Sequence, residues 1–379
     1  MKVLIVGGGI GGLALAAFLK DSGIEYEIIE KCSDWQHQGF IIGLWDNGRD
    51  MLKKLGLAER LDHIGSRIQT YSIRDGHGKI VREYSLAHLQ AAYGGAVTII
   101  GRADIHAWLL EKCDVSKIQM STSVEKIVAQ GNEQKVTFTD GRIGIYDVVV
   151  GADGVHSKVR SLIFSDAIES YTNWRAWFMW VENEFDVPAT IAEYIEPREF
   201  IVTFAGEGKT LATMVTPLEH TVWDTEEGRI KRLEQIFKDE THLVPKAFRS
   251  MHDKDALPTD LIDIKMRHWV KGNVVLLGDA AHAFGPMAGL GASMTMEDAY
   301  TLAAALSKAS EGFPLSHALK TYEQHRKHRT AIARRVTRKI RNIMLIKSPF
   351  LRKVVNYLAP YMPEQLITGD YERLLKTEI

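Results

Sequence analysis

The sequence predicts an α/β protein in which a Rossmann-like nucleotide-binding domain is interrupted by a mixed β-sheet domain and followed by C-terminal helices. Three stretches carry that expectation. Each is a short apolar strand that runs into a glycine-bearing turn and then a helix: residues 3–6 into Gly7-Gly8-Gly9-Ile10-Gly11-Gly12, residues 146–150 into Gly151-Ala152-Asp153-Gly154, and residues 274–277 into Gly278-Asp279. Between the second and the third lies a long segment of aromatic and β-branched strands, the mark of a separate sheet.

The first stretch is the most informative. Gly7, Gly9 and Gly12 fit G-x-G-x-x-G, in which the first glycine allows the tight turn, the second lets backbone approach a pyrophosphate, and the third lets helix pack on strand. The unpaired N–H groups at the start of the following helix then point at an anion. A helix terminus contributes on the order of 0.3–1 kcal/mol per charge at an exposed site, so direct N–H hydrogen bonds and shape must supply the rest. After Ser22-Gly23, residues 26–29 read as a second strand ending at Glu30, eighteen positions beyond Gly12, where an acid reaches ribose hydroxyls. A glycine-rich turn beside a solvated Glu is the plain alternative, and the strand, helix and acid standing in register argue against it.

Further along, the segment 39–57 ends in an amphipathic helix over residues 48–57 that stops at a glycine. From 68 to 97, short alternating segments with turns at Asp75-Gly76 and His77-Gly78 suggest strands of a different sheet. The chain returns at Ile99-Ile100-Gly101-Arg102, and a helix follows over 103–112. Residues 124–129 and 135–139 are strands joined by the polar turn Gln130-Gly131-Asn132-Glu133. The second glycine stretch ends in a short basic helix. Strands then dominate from 173 to 263, including a hairpin of 201–204 and 211–215 about Gly206-Glu207-Gly208-Lys209, with a helix near 226–239. The strand 274–277 has no polar alternation and is buried on both faces. Helices over 292–308 and 315–344 and an apolar segment at 350–358 complete the chain, with no solenoid repeat.

The 379 residues are 45% hydrophobic and 25% charged, with a net charge of −1. That is enough chain for about two or three domain-sized cores. No chain-wide basic field exists to neutralise phosphates, so no nucleic-acid partner is expected. Cys32 and Cys113 are too few for a metal site and need not pair, which favours a reducing, cytoplasmic compartment and no metal. The apolar N-terminal run is used up by the first strand, so no signal peptide is expected, and no uncharged run reaches the roughly 20 residues of a membrane helix.

Together the three stretches resemble the class A, single-component FAD-dependent aromatic monooxygenases of the para-hydroxybenzoate hydroxylase fold, over about residues 1–345. The Gly7 turn with Glu30 matches that family's FAD fingerprint. The run Asp147 to Arg160 matches D-x-x-x-G-A-D-G-x-x-S-x-x-R, which there serves both FAD and NAD(P)H. Gly278-Asp279, with Ala280-Ala281-His282, Pro286 and Gly289-Leu290-Gly291, matches the motif that holds the ribityl chain and pyrophosphate. The resemblance implies a Rossmann-like FAD-binding domain of the GR2 type in three parts (1–67, 98–168 and 266–310). It adds a substrate domain made of the excursion 68–97 and the β-sheet segment 169–265, and a long helix with a C-terminal helical segment over 311–379. It implies FAD as cofactor, NAD(P)H as co-substrate, O2 as oxidant, and an aromatic or polycyclic, polyketide-like substrate hydroxylated through a flavin C4a-hydroperoxide.

By residue, the resemblance places Glu30 and Lys31 at the ribose, Arg102 at the flavin, Asp153 and Gly154 in the dinucleotide motif, and Asp279 at the ribityl hydroxyls. Pro286, Gly289, Leu290, Gly291 and Ala292 would line the isoalloxazine. A glycine-rich turn opening a helix at Ala292 agrees on physical grounds, since it offers backbone N–H groups to the anionic edge of a reduced flavin. The chain departs from the pattern at Leu290, where Gln is common, and at Lys31, where Arg is frequent; backbone contacts survive the first change, and the second removes a planar fork of donors. In members similar to the tetracycline-inactivating enzymes a C-terminal helix closes over the substrate, a role open to 350–358, which is apolar enough to need a partner or to touch a membrane.

Single residues keep simpler readings. Asp153 can cap the short helix after Gly154, Asp279 can be a turn residue, and His282 reads as a hydrogen-bonded structural histidine rather than a catalytic one. Alternation along 174–180 puts Trp174, Ala176, Phe178 and Trp180 on one face and Arg175, Trp177 and Met179 on the other, so one face packs and the other can line a cavity. Arg175 and Trp177, with Glu193 and Tyr194 on a neighbouring strand, are the substrate-contact candidates, and no catalytic base is identifiable. The basic run 325–339 reads as a core-packed helix with a solvated face, Ala331, Val336, Ile340 and Ile343 pointing inward. Two other functions fit the same motifs: a flavin-dependent reductase of the isoprenoid type, and a flavin-binding partner protein without turnover. A halogenase is disfavoured because W-x-W-x-I-P is missing and Trp177-Phe178-Met179-Trp180 has another spacing. A monomer or homodimer is expected.

Overall fold

The computed structural model describes residues 1–35, 41–87, 97–182, 189–195, 199–205, 209–218, 224–344, 346, 348–358, 361, 369 and 371–374. The chain begins with β1 (Lys2–Val6), α1 (Ile10–Asp21) and β2 (Glu25–Ile29), then runs through β3 (Ile41–Trp45), α2 (Asp46–Lys54), α3 (Ala58–Ile64), β4 (Ser66–Arg67), β5 (Thr70–Arg74) and β6 (Ile80–Ser85). It continues through β7 (Val97–Gly101), α4 (Arg102–Lys112), β8 (Ile118–Gln119), β9 (Val124–Gln130), β10 (Glu133–Phe138), β11 (Ile143–Tyr146), β12 (Val148–Gly151) and α5 (Lys158–Ile163). The long β13 (Ile168–Glu182) opens a run of β14 (Thr190–Ile195), β15 (Phe200–Ala205), β16 (Lys209–Pro217), α6 (Arg229–Ile236) and β17 (Leu257–Lys265). Then come β18 (Val270–Lys271), β19 (Val274–Leu276), α7 (Gly291–Ser310), α8 (Leu315–Met344) and α9 (Pro349–Leu358).

The three apolar strands of the sequence motifs lie side by side. A six-stranded sheet has the order β18-β19-β12-β1-β2-β8, with β1 parallel to both β12 and β2, and β12 parallel to β19. Parallel strands covered on both faces need apolar side chains throughout, and Val3 to Val6, Val148 to Val150 and Val274 to Leu276 are all buried. Because parallel strands share one direction, their three glycine turns emerge at one edge of the sheet. α1 is buried from Ile10 to Leu19, as a helix that is apolar all round must be.

A second, seven-stranded sheet has the order β17-β13-β16-β15-β14-β5-β6. The excursion expected over 68–97 ends there, with β5 running parallel to β14 and β6 at the edge. The hairpin of β15 and β16 has the expected pairing, while its turn residues Gly206, Glu207 and Gly208 lie outside the described residues, as does Gly39. At the expected return point the chain enters β7, which pairs in a small antiparallel sheet with β3 and β4. β3 is five residues long with a glycine at its centre, so neither length nor alternation marks it as a strand in the sequence.

The expected long helix is present over the same span, but its inward face differs. Ala333 and Val336 are buried and Ile340 packs against the same cluster, whereas Ala331 and Ile343 are exposed. Arg326 and Arg329, read as part of a solvated face, are buried. Cys32 and Cys113 are both free, one exposed and one buried. Among the described residues no helix is long and apolar enough to cross a membrane.

Candidate active site

A cavity of about 500 Å3 runs from the glycine turn after β1 to the inner face of the seven-stranded sheet. At its first end the three fingerprint glycines divide the work by space. A methyl group on Gly7 would lie 2.4 Å from the Ala152 carbonyl oxygen, and one on Gly12 would lie 2.0 Å from the Gly7 carbonyl oxygen, so strand, turn and helix touch backbone to backbone. A methyl on Gly9 would meet nothing within 4 Å. Gly9 faces the cavity, and it caps α1 with no side-chain hydrogen bond. The N-terminus of α7 is built the same way, with no side-chain cap and open space beside Gly291. Two helix starts without side-chain caps thus open on one cavity, a cradle whose backbone N–H groups fit the phosphates and the anionic edge of a flavin dinucleotide.

The expected cofactor residues take different positions around this cradle. Arg102, Gly154, Asp279, Pro286, Gly289, Gly291 and Ala292 line the cavity. Leu290 does not; it is buried with Met294 and Val336, so its side chain serves the core behind the turn. Glu30 sits at the end of β2, where its carboxylate accepts from the backbone N–H of Gly8 at 2.8 Å and of Cys32 at 3.0 Å, and it shapes the turn rather than lining the cavity. Lys31 is exposed beside it. Asp153 accepts from the Ser157 hydroxyl at 2.5 Å and from the N–H groups of Lys158 at 2.6 Å and Val159 at 3.0 Å, so it caps α5. Burial pushes its carboxyl up despite those donors. Arg160 joins the second motif to the third by donating to the Ala280 carbonyl at 2.9 Å.

Asp279 is exposed to the cavity and surrounded by protein on its other sides. Burial pushes its carboxyl above the usual range, while His282 and Arg102 pull it down. Arg102 is itself pulled down by burial and held up in part by Asp279.

Behind the third motif lies a buried ionic cluster that the sequence reading did not identify. Asp298 of α7 accepts from the Gly278 N–H at 3.0 Å, bonds His282 Nε2 at 2.5 Å, and accepts from Arg326 Nε at 2.5 Å. Its neighbour Glu297 pairs with Arg326, with Arg329 at 2.6 Å, and with the Asn47 amide at 2.7 Å. His282 is held between Trp269 and Phe284, with ring centroids 4.9 and 6.0 Å away, so its imidazole orients the turn rather than facing the cavity.

At the far end of the cavity the sheet supplies the wall. Of the four substrate-contact candidates, Glu193 lines it, and Arg175, Trp177 and Tyr194 do not. Trp177 and Tyr194 pack on the opposite face under α6, with Trp177 Nε1 donating to Asp224 at 3.0 Å and Tyr194 accepting from Arg74 at 3.0 Å. Arg175 pairs with Asp260 at 2.7 Å. The other face of the predicted alternation, through Phe178, faces the cavity. Unforeseen lining residues are Tyr71, Thr213 and Tyr371, the last stacked on Trp45 with centroids 4.2 Å apart. They converge through sheet register and a distant chain end, which no local pattern announces.

The chain matches the FAD binding domain family over residues 1–339. It is 28% identical to 2-heptyl-3-hydroxy-4(1H)-quinolone synthase of Pseudomonas aeruginosa, over 99% of this chain and 97% of that protein. It is 29% identical to the FAD-dependent urate hydroxylase of Mycolicibacterium vanbaalenii, over 87% of this chain and 85% of that one. Among solved structures, Klebsiella pneumoniae HpxO complexed with FAD and uric acid superposes with a TM-score of 0.90 across 99% of this chain and 97% of its own, at 24% identity, a likeness of fold.

Proposed function

The chain belongs to the FAD binding domain family, and on that premise we propose that it is an FAD-dependent, NAD(P)H-consuming monooxygenase that hydroxylates an aromatic small molecule. The observation that carries the reading is the continuity of one cavity from the backbone cradle at Gly9 and Gly291 to an apolar sheet face. The relatives named for urate and quinolone chemistry support the aromatic class.

When bound, the flavin would supply the redox chemistry between NAD(P)H and O2. The chain's own residues bind, orient and exclude water. The N–H groups that open α1 would hold the pyrophosphate, and Asp279 would accept hydrogen bonds from the polyol between phosphate and ring. The start of α7 would offer backbone donors to negative charge on the ring without reorganising. Phe178, Phe200, Phe204 and Val215 keep the far end apolar, which positions a flat substrate and shields the reacting centre from water.

FAD titration of the purified protein, followed by NADPH oxidation and O2 uptake across phenols and fused-ring heteroaromatics, tests the proposal. Substrate-dependent loss of O2 with appearance of a hydroxylated product is expected. NADPH oxidation coupled to substrate reduction without O2 uptake would instead identify a reductase.

A further inference from the structure

The part of the seven-stranded sheet formed by β13, β15 and β16 turns apolar side chains to the cavity, and one hydroxyl stands among them. Thr213 on β16 is in register with Phe178 on β13 and with Val202 on β15, and Leu211 and Val215 flank it two positions away along its own strand. All five line the cavity. Neighbouring strands lie about 4.8 Å apart and alternate residues of one strand about 7 Å apart, so the closest side chains around Thr213 on that face are all apolar.

The Thr213 side chain is buried, and its Oγ1 has no hydrogen-bond partner among the described residues. Three other buried threonines are paired within the fold: Thr203 on β15 donates to the Ala192 carbonyl at 3.3 Å, Thr330 on α8 to the Arg326 carbonyl at 2.9 Å, and Thr337 to the Ala333 carbonyl at 3.0 Å. Of the buried side-chain atoms left unpaired among the described residues, Thr213 Oγ1 is the one whose residue lines the cavity. A hydroxyl without a partner in apolar surroundings is unfavourable, so a ligand that supplies one there gains what the sheet does not provide. A turn about χ1 exchanges the hydroxyl with the γ-methyl, which presents the oxygen to a ligand without moving the strand. Because a hydroxyl both donates and accepts, a carbonyl, a hydroxyl or a ring N–H can meet it.

We infer that Thr213 is the polar anchor of the substrate: a flat aromatic, apolar over the face laid on Phe178, Val202, Leu211 and Val215, with a hydroxyl, carbonyl or ring N–H at the point that meets Thr213. That one hydrogen bond fixes where along the wall the rings sit, and so which carbon is presented to the cofactor end of the cavity. The inference rests on the aromatic-hydroxylase reading above and deepens it.

The test uses the full-length, FAD-loaded protein and the near-isosteric probes 2-naphthol and 2-methylnaphthalene, with binding read from the flavin absorbance change so that turnover is not required. Thr213→Val keeps the shape of the side chain and deletes the hydroxyl. It should shift the affinity ratio by about tenfold toward 2-methylnaphthalene, the scale of leaving one buried hydroxyl without a partner. Thr213→Ser keeps the hydroxyl and should hold the ratio within about twofold of the unsubstituted protein. Melted without a probe, Thr213→Val should be at least as stable as the unsubstituted protein, because it removes an unpaired buried hydroxyl. A ratio unmoved by Thr213→Val, a lower melting temperature for that variant, or no absorbance change with either probe in the unsubstituted protein would overturn the inference. The expected ratios in a protein that hydroxylates none of the phenols and fused-ring heteroaromatics would uphold the anchor and count against the hydroxylase reading alone.

Discussion

A carboxylate set among protein walls, as Asp279 is opposite Arg102, is disfavoured in its charged form, and this has a measurable sign. A folded-state pKa raised above the unfolded value means that ionising the group works against the fold as pH rises past the ordinary carboxylate range. Asp279→Asn should therefore leave the FAD-free protein as stable or more stable at neutral pH. The same substitution should weaken FAD by about ten- to a hundredfold, the loss of a charged acceptor worth about 1.5–3 kcal/mol. Thermal melts without FAD and an FAD titration check the two halves, and unchanged FAD affinity would remove Asp279 from the cofactor's contacts. Gly12 makes a harder demand: with a methyl 2.0 Å from the Gly7 carbonyl oxygen, Gly12→Ala should yield protein without bound FAD and with a lowered melting temperature. Residues such as these were legible in the sequence because a motif is a run of neighbours. Asp153 shows the limit of that legibility, since its place in the motif does not reveal that its side chain caps α5. Glu193 could be placed on its strand from the sequence, but that Thr213 shares its face follows only from the register.

Between α7 and α8 the ionic cluster decides how firmly the third motif is held. Burial alone would raise both carboxyls, but Arg326 and Arg329 hold Glu297 below the usual range, and His282 and Arg326 do the same for Asp298. Carboxylates depressed in this way contribute stability that is complete above their unfolded values of about 4 and is lost as pH falls below them. Urea denaturation between pH 7 and pH 3 should show this loss, and it should be smaller in Glu297→Gln, which is less stable at neutral pH from the start. Arg326→Met removes the shared cation and leaves two buried acids short of a partner, for an expected loss of about 3–5 kcal/mol. A change below about 1 kcal/mol in a urea melt would show that the cluster is dispensable. The basic run of α8 announced a helix correctly through its spacing. Its acids sit on a different helix, and local periodicity carries no sign of them, so Arg326 and Arg329 looked like surface charges.

At the scale of the molecule the cavity belongs to no single element: the six-stranded sheet brings the glycine turns, the seven-stranded sheet brings the apolar face, and the chain end closes a side. Tyr371 stacks on Trp45 and lines the cavity, and the Leu374 carbonyl accepts from Arg329 at 3.1 Å. Ending the chain after Ser348 should therefore weaken binding of an aromatic ligand by more than it lowers FAD content, with equal losses pointing to a purely structural tail. The α/β class, the three parallel strands and the long helix were readable because each leaves its own period in the sequence. The small sheet of β3, β4 and β7 and the packing of the chain end were not, since short strands and distant contacts leave none. The cavity's two ends also differ in what they are made of. The cradle at Gly9 and Gly291 is backbone, and the wall through Phe178, Thr213, Val202 and Glu193 is side chain. Side-chain substitutions can therefore reshape the wall without touching the cradle, whose geometry is set by backbone alone.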